Sequence, residues 1–210
     1  MKSNLFPISS TGFKYIASAF LAFVIFSIFD IEFLALISFI LMLAFGFMFR
    51  NPEREVPSFE KNSLLSPVDG NVISIEDIQN AEYTYKLKID STYLNVGVLR
   101  TPFDSVLRSV VKKSGARLAS TSTLCKDINE HAELIFADEN SNSVKIVHTL
   151  KRSFDGISID LKNAQNIKQA SRYGVMTNGT TTLYLPKNFR LNVTLGSELE
   201  GSQTLIGYFS

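Results

Sequence analysis

Cysteine and histidine are nearly missing from these 210 residues: there is one of the first and two of the second. A lone Cys125 makes no internal disulfide and no multi-cysteine metal site. His131 and His148 are too few for a histidine-rich zinc or iron centre, so no metal is expected. Net charge is also scarce, at +1, and no basic stripe with interleaved aromatics occurs, so nucleic acid is not an expected partner. What the chain does have is an uneven distribution of apolar residues. Most of the phenylalanines precede residue 50, in a stretch with hardly any charge, while the remainder alternates polar and apolar residues. Two different solvents are implied.

Residues 15–29 and 33–49 are apolar, and Asp30-Ile31-Glu32 breaks them apart. Each run is somewhat short of the roughly 20 residues that cross a bilayer, and interfacial residues at the ends extend it. The pattern predicts a transmembrane helical hairpin over 12–50, after an N-terminal tail at 1–11 and before a β domain at 51–210. Lys2, Lys14, Arg50 and Arg54 lie at the outer ends and only acids at the turn, which places both ends in the cytoplasm. The expected location is therefore the inner or cell membrane, with the β domain on the cytoplasmic side. The apolar region is too long for a cleaved signal peptide. A hairpin lying partly in the interface is the alternative.

Beyond residue 50, short period-2 runs dominate. Tyr83, Tyr85, Leu87 and Ile89 share one strand face, as do Val144, Ile146, His148 and Leu150, with Gly, Pro, Asn and Ser clusters between such runs. A mainly antiparallel β domain follows, with a flattened-barrel character suggested by Gly196 and Gly201 around a short apolar turn. That turn is expected to be a structural hairpin, and it lacks the lysine that lipoyl or biotinyl attachment needs. His148 on an apolar face reads as a core histidine.

Four motifs carry chemistry. "FRNPERE" (49–55) offers Arg50 and Arg54 as anchors near lipid headgroups. "LLSPVDGNVISI" (64–75) puts Asp69 in a turn that feeds a strand. "LNVGVLRTPFDS" (94–105) is a strand followed by a proline turn. "RYGVMTNGTTTLYLP" (172–186) contains Asn178-Gly179, the preferred dipeptide of a two-residue type I′ turn, between two good strand sequences, so a plain hairpin explains it.

In this order and spacing the motifs resemble the phosphatidylserine decarboxylase family, in its short membrane-anchored form. "NPER", "SPVDG", "INE" at 128–130, and "RYG" with "LYLP" carry the resemblance from about Gly12 to Tyr208. The resemblance implies a pyruvoyl enzyme that makes phosphatidylethanolamine from phosphatidylserine, with the pyruvoyl group self-generated when a serine attacks the preceding carbonyl. It maps the family aspartate to Asp69, the histidine of its Val-His-Val strand to Gly97, the glycine before the cut to Gly179, and the serine to Thr180. The segment up to "LYLP" is one residue shorter than usual, and Asp155-Gly156 stands near the place of an arginine pair.

The differences fall on the self-cleavage chemistry. Threonine keeps a hydroxyl, but β-elimination from it leaves a 2-oxobutanoyl end and not pyruvoyl, and its methyl restricts χ1. Glycine at 97 accepts no proton. His131 is the better substitute among the two histidines, and Cys125 reads as an ordinary small residue. Three readings stay open: a decarboxylase in which Thr180 or another group replaces serine; a non-catalytic relative that binds anionic phospholipid, with a partner enzyme or a homo-oligomer as alternatives; and a structural membrane protein that binds protein only. Without the serine, no pyruvoyl cofactor is expected here.

Overall fold

A computed structural model describes residues 6–60, 62–78, 82–119, 121–122, 124–140 and 142–210. The chain divides into two compact units, Met1–Glu53 and Arg54–Ser210.

The first unit is a pair of helices, α1 (Phe13–Ile28) and α2 (Glu32–Met48). Unbranched and aromatic apolar residues dominate both, and the turn is made by Asp30, which takes the left-handed region at φ 54°, a conformation its short polar side chain tolerates. Tyr15 on α1 stacks on Phe49 with centroids 5.4 Å apart, and Phe23 meets Phe39 at 5.7 Å, so the helices run antiparallel in contact. Ser10–Ile28 is long and apolar enough to cross a membrane, whereas Glu32–Met48 is a shorter apolar helix.

The second unit is built of antiparallel strands. Five come first: β1 (Ser63–Leu65), β2 (Gly70–Asp77), β3 (Tyr85–Ser91), β4 (Val98–Arg100) and β5 (Ser105–Lys113). A single-turn helix, α3 (Cys125–Ile128), precedes β6 (His131–Ala137) and β7 (Ser143–Leu150). The short β8 (Ser158–Ile159) and β9 (Asn166–Ile167) lead to β10 (Arg172–Val175) and β11 (Gly179–Leu185). Last are β12 (Phe189–Leu191), β13 (Glu198–Leu199) and β14 (Leu205–Phe209).

Eight strands form one sheet in the order β13-β2-β3-β11-β7-β6-β5-β9, and two three-stranded sheets, β1-β14-β12 and β4-β10-β8, complete the unit. The period-2 pattern explains the core. On β7, Val144, Ile146, His148 and Leu150 are all fully buried, while the residues between them are half-exposed. Leu87 and Ile89 of β3, Ala132, Leu134 and Phe136 of β6 and Leu183 of β11 pack with them. β11 is rich in threonine, whose branched Cβ suits a strand bordered on both edges.

Two expected hairpins are not formed. β10 pairs with β4 and β8, whereas β11 pairs with β3 and β7, so the strands on either side of Asn178-Gly179 belong to different sheets. Neither residue has the positive φ that a type I′ turn demands. The segment is a crossover between sheets, because each strand finds a longer-range edge better matched to its burial than its neighbour in sequence. Likewise β13 pairs with β2 and β14 with β1 and β12, so Gly196 and Gly201 do not flank a hairpin. Gly196 still supplies a turn with φ 83°, but Gly201 serves a different site.

Candidate functional site

Asp69 ends the "SPVDG" turn just before β2 and is 7% exposed. Both of its carboxylate oxygens are occupied. Arg54 meets them with two guanidinium nitrogens, Nη2 lying 2.7 Å from Oδ2. The Gly201 N–H donates to Oδ1 at 2.8 Å, and the Val96 N–H approaches Oδ2 at 3.4 Å. Arg54 Nη1 also donates to the Gly201 carbonyl at 2.8 Å. Burial by itself would lower the Arg54 pKa, but the hydrogen bond and charge of Asp69, with Glu200 adding to them, hold it above its ordinary value. The planar fork matches the carboxylate on both sides, a geometry lysine does not provide.

Arg54, expected to anchor a lipid headgroup, has its guanidinium on Asp69. Arg50 belongs to the helical unit. Its Nη1 donates to the Phe47 carbonyl at 3.0 Å and its guanidinium lies 4.0 Å from the Phe47 ring centroid, where it caps the negative end of α2.

Gly97 precedes β4. Its carbonyl accepts the Met176 N–H at 2.7 Å, so it touches the crossover that leads to Gly179. A Cβ at position 97 would sit 3.1 Å from the Met176 carbonyl oxygen and 3.3 Å from the Thr177 Cα. The crossover backbone thus lies tight against position 97 and would have to give by a few tenths of an ångström to admit a side chain. Gly179 is confined as well: a Cβ there would come within 2.5 Å of Met176 Sδ and 2.6 Å of the Thr149 carbonyl oxygen. Gly179 pairs with Ser91, whose hydroxyl donates to the Asp69 carbonyl at 2.6 Å. Asp69, Gly97, Gly179 and Thr180 are therefore gathered around one crossover, linked through Val96, Met176 and Ser91.

Thr180 stands in a polar row that crosses the large sheet. Its register partners are Asp90 on β3 and Thr149 on β7, and Thr149 in turn pairs with His131 on β6. Directly paired residues share a face, so His131 is on the same side as Thr180, two strand spacings or about 10 Å away. His131 Nδ1 lies 2.9 Å from the Asn129 carbonyl. Lys151 Nζ pairs with Asp90 Oδ1, the carboxylate of the residue beside Thr180. Among the described residues, no side-chain hydrogen bond engages the Thr180 hydroxyl.

The next row faces the core. His148 is fully buried, with Nδ1 2.8 Å from Thr181 Oγ1 and Nε2 2.7 Å from the Tyr173 hydroxyl. Burial lowers its pKa from 6.5 to about 3 and raises that of Tyr173, so both are neutral. The trio joins β7 and β11 of the large sheet to β10 of a small one, directly under the crossover. Cys125 opens α3 and is half-buried. Among the described residues, no group of three or more His, Cys, Asp or Glu side chains is placed to hold a metal.

The "INE" motif is architectural. Asn129 accepts the Leu118 N–H and donates to the Leu118 and Leu150 carbonyls, and the buried Glu130 meets Arg117, Lys112 and the Ile157 N–H. Sequence reasoning missed Asp90 and Lys151 and read Gly201 and Asn178 only as turn residues. The basic pair Lys151-Arg152 at the end of β7 is a signal that could have drawn attention to them.

The phosphatidylserine decarboxylase family model matches residues 41–207. Among curated relatives, a phosphatidylserine decarboxylase proenzyme of Desulfotalea psychrophila is 26% identical over 96% of this chain and 96% of its own. One of Anaplasma phagocytophilum is 29% identical over 96% of this chain and 91% of its own. A third, of Neorickettsia sennetsu, is 28% identical over 78% of this chain and 76% of its own.

Proposed function

The chain belongs to the phosphatidylserine decarboxylase family, and from that premise we propose that it is a membrane-anchored member of phospholipid metabolism that is not cut between Gly179 and Thr180. It keeps the family's fold and anchor and engages phosphatidylserine or a related anionic lipid through its β domain. The helical hairpin at 12–50 lies in the inner or cell membrane, with both ends and the β domain at 51–210 on the cytoplasmic side.

The observation that carries this reading is the Arg54–Asp69 pair. An aspartate that is to orient a histidine needs a carboxylate lone pair free to accept from it; here Oδ1 accepts from Arg54 and the Gly201 N–H, and Oδ2 from Arg54 with the Val96 N–H approaching at 3.4 Å. Gly97 supplies no imidazole, and the crossover backbone crowds the place where one would start. A pyruvoyl group does not fit these residues, because threonine at 180 yields a 2-oxobutanoyl end even if the acyl shift proceeds.

A threonine-dependent enzyme is the second reading. It is favoured by one observation, that Asp90 is the direct cross-strand neighbour of Thr180, since a carboxylate beside a hydroxyl can take up its proton.

Intact mass of the detergent-purified chain under denaturing conditions separates the two. The proposal expects one unbroken polypeptide. Two fragments meeting at Gly179 and Thr180, the second with an oxoacyl end, would replace it with the threonine reading.

A further inference from the structure

At one end of the large sheet the loops carry exposed apolar side chains. Ser91 at the end of β3 and Leu150 at the end of β7 both pair with Gly179, so the segments that follow them leave the sheet at the same level, on either side of β11. Residues 92–95 form a turn in which the Asn95 N–H donates to the Thr92 carbonyl at 3.0 Å and the Asn95 side chain accepts the Thr92 N–H at 2.9 Å. Leu94 in that turn is 73% exposed, and Phe154 in the neighbouring segment is 40% exposed. Thr92 and Tyr93 share an open cavity with Ala119 and Thr121, and shortly beyond Thr121 comes Leu124, 55% exposed. One exposed leucine signifies nothing. Three large apolar side chains on adjoining loops make a patch of the kind that marks an interaction surface.

The loops that carry the patch are pinned to one another. The Tyr93 ring stacks on Phe154 with centroids 5.5 Å apart. Its hydroxyl donates to the Arg152 carbonyl at 2.7 Å and accepts the Phe154 N–H at 3.3 Å. Arg152 takes the left-handed region at φ 38°, uncommon for an arginine, and its N–H donates to the Arg117 carbonyl at 3.1 Å. Apolar groups presented on a fixed backbone lose little further freedom when something covers them.

What covers them follows from the chain that enters this unit. Arg54 holds Asp69, and Asp69 touches both sides of the turn: its carbonyl accepts the Ser91 hydroxyl at 2.6 Å, and its Oδ2 lies 3.4 Å from the Val96 nitrogen. Leu94 is two residues from Val96. The chain coming from the apolar helices therefore arrives beside this turn. Only residues 49–53 separate Arg54 from the end of α2, at most about 20 Å of extended backbone. A surface tethered so closely to a bilayer meets it at high effective concentration.

We propose that Leu94, Phe154 and Leu124 enter the hydrocarbon edge of a phospholipid bilayer, giving the β domain an apolar membrane contact of its own besides the helical hairpin. Burial of apolar surface drives this contact, so it requires no particular headgroup. The inference rests on the reading that the hairpin at 12–50 lies in a membrane.

The chain contains no tryptophan, so Leu94→Trp, Leu124→Trp and Phe154→Trp, made one at a time, each place a single emitter in the patch. Lys187→Trp is the control. Position 187 is exposed and lies just past Leu185, at the end of β11 away from Gly179, roughly 20 Å from the patch end of that strand. Each full-length variant is reconstituted in phosphatidylcholine vesicles with and without lipids brominated on their acyl chains, which quench emitters only at hydrocarbon depth. Emission from the three patch positions should shift to the blue and lose at least half its intensity with brominated lipid, while that from position 187 stays unchanged. Absence of quenching at any of the three, or an equal loss at position 187, overturns the proposal. A blue shift at position 94 without quenching overturns it too, and identifies a protein surface as the cover. Alkaline extraction of the same vesicles tests the anchor separately. A chain that is stripped off removes the hairpin reading; quenching at position 94 when fresh vesicles are added to that freed chain keeps the inference, and its absence there removes both.

Discussion

The hydroxyl of Thr181, and not that of Thr180, lies 2.8 Å from the imidazole of His148. Adjacent strand residues face opposite ways, so the histidine with the lowered pKa serves the core row, one position away from the hydroxyl that the family resemblance singles out. Its consequence is for stability. With a folded pKa of about 3 against an ordinary 6.5, the unfolded chain takes up a proton in that window that the folded chain refuses. Stability therefore rises with pH between the two values, is complete above the upper one, and falls as acid is added. Urea titrations of the full chain between about pH 4 and pH 7 should show this slope, and His148→Gln should flatten it. An identical slope in the variant would mean that other groups set the acid limit.

Arg54→Ala should cost about 3 kcal/mol or more, because it leaves a buried carboxylate without its counter-charge. Arg54→Lys should recover part of that, since it restores charge without the fork. Chemical denaturation of the two variants ranks them. Equal stability of Arg54→Ala and the parent would show that the Gly201 and Val96 N–H groups suffice to hold Asp69.

Restoring the family residues should not restore the family's chemistry. Thr180→Ser combined with Gly97→His is expected to remain a single chain by denaturing mass analysis, because Asp69 stays bound to Arg54 and the new Cβ starts 3.1 Å from the Met176 carbonyl. Its melting temperature should fall. Two fragments would refute the expectation.

Gly179→Ala is expected to destabilise by about 1–3 kcal/mol, the usual range for forcing extra volume into a packed interior. The added methyl meets Met176 Sδ and the Thr149 carbonyl at the head of a strand bordered on both edges. Loss of melting temperature reads the effect, and an unchanged value would show that Met176 can move aside.

Much of the fold was legible because it depends on local period. The alternation along β7 named its four buried residues, and the two apolar runs named both helices with Asp30 at the turn. Sheet membership was less accessible. Asn178-Gly179 carries the local signature of a tight hairpin, and only the competition among distant edges sends β10 and β11 to different sheets. The same holds for Arg54. Its position after the apolar segment suggested a headgroup anchor, but its partners are Asp69 and a carbonyl at Gly201, 147 residues further along the chain. The row through Asp90, Thr180, Thr149 and His131 depends on the register of three strand pairs, which no single segment encodes.

The position of β11 has a mechanical consequence. It is flanked by β3 and β7, both of which precede Gly179 in the chain, and β14 is likewise held by β1. If the backbone were broken at Gly179, everything after the break would stay laced into strands that come before it. The peptide bond there is mechanically redundant. Cut and uncut molecules would therefore travel as the same particle through any column or native gel, and only a solvent that unpicks the sheet would tell them apart.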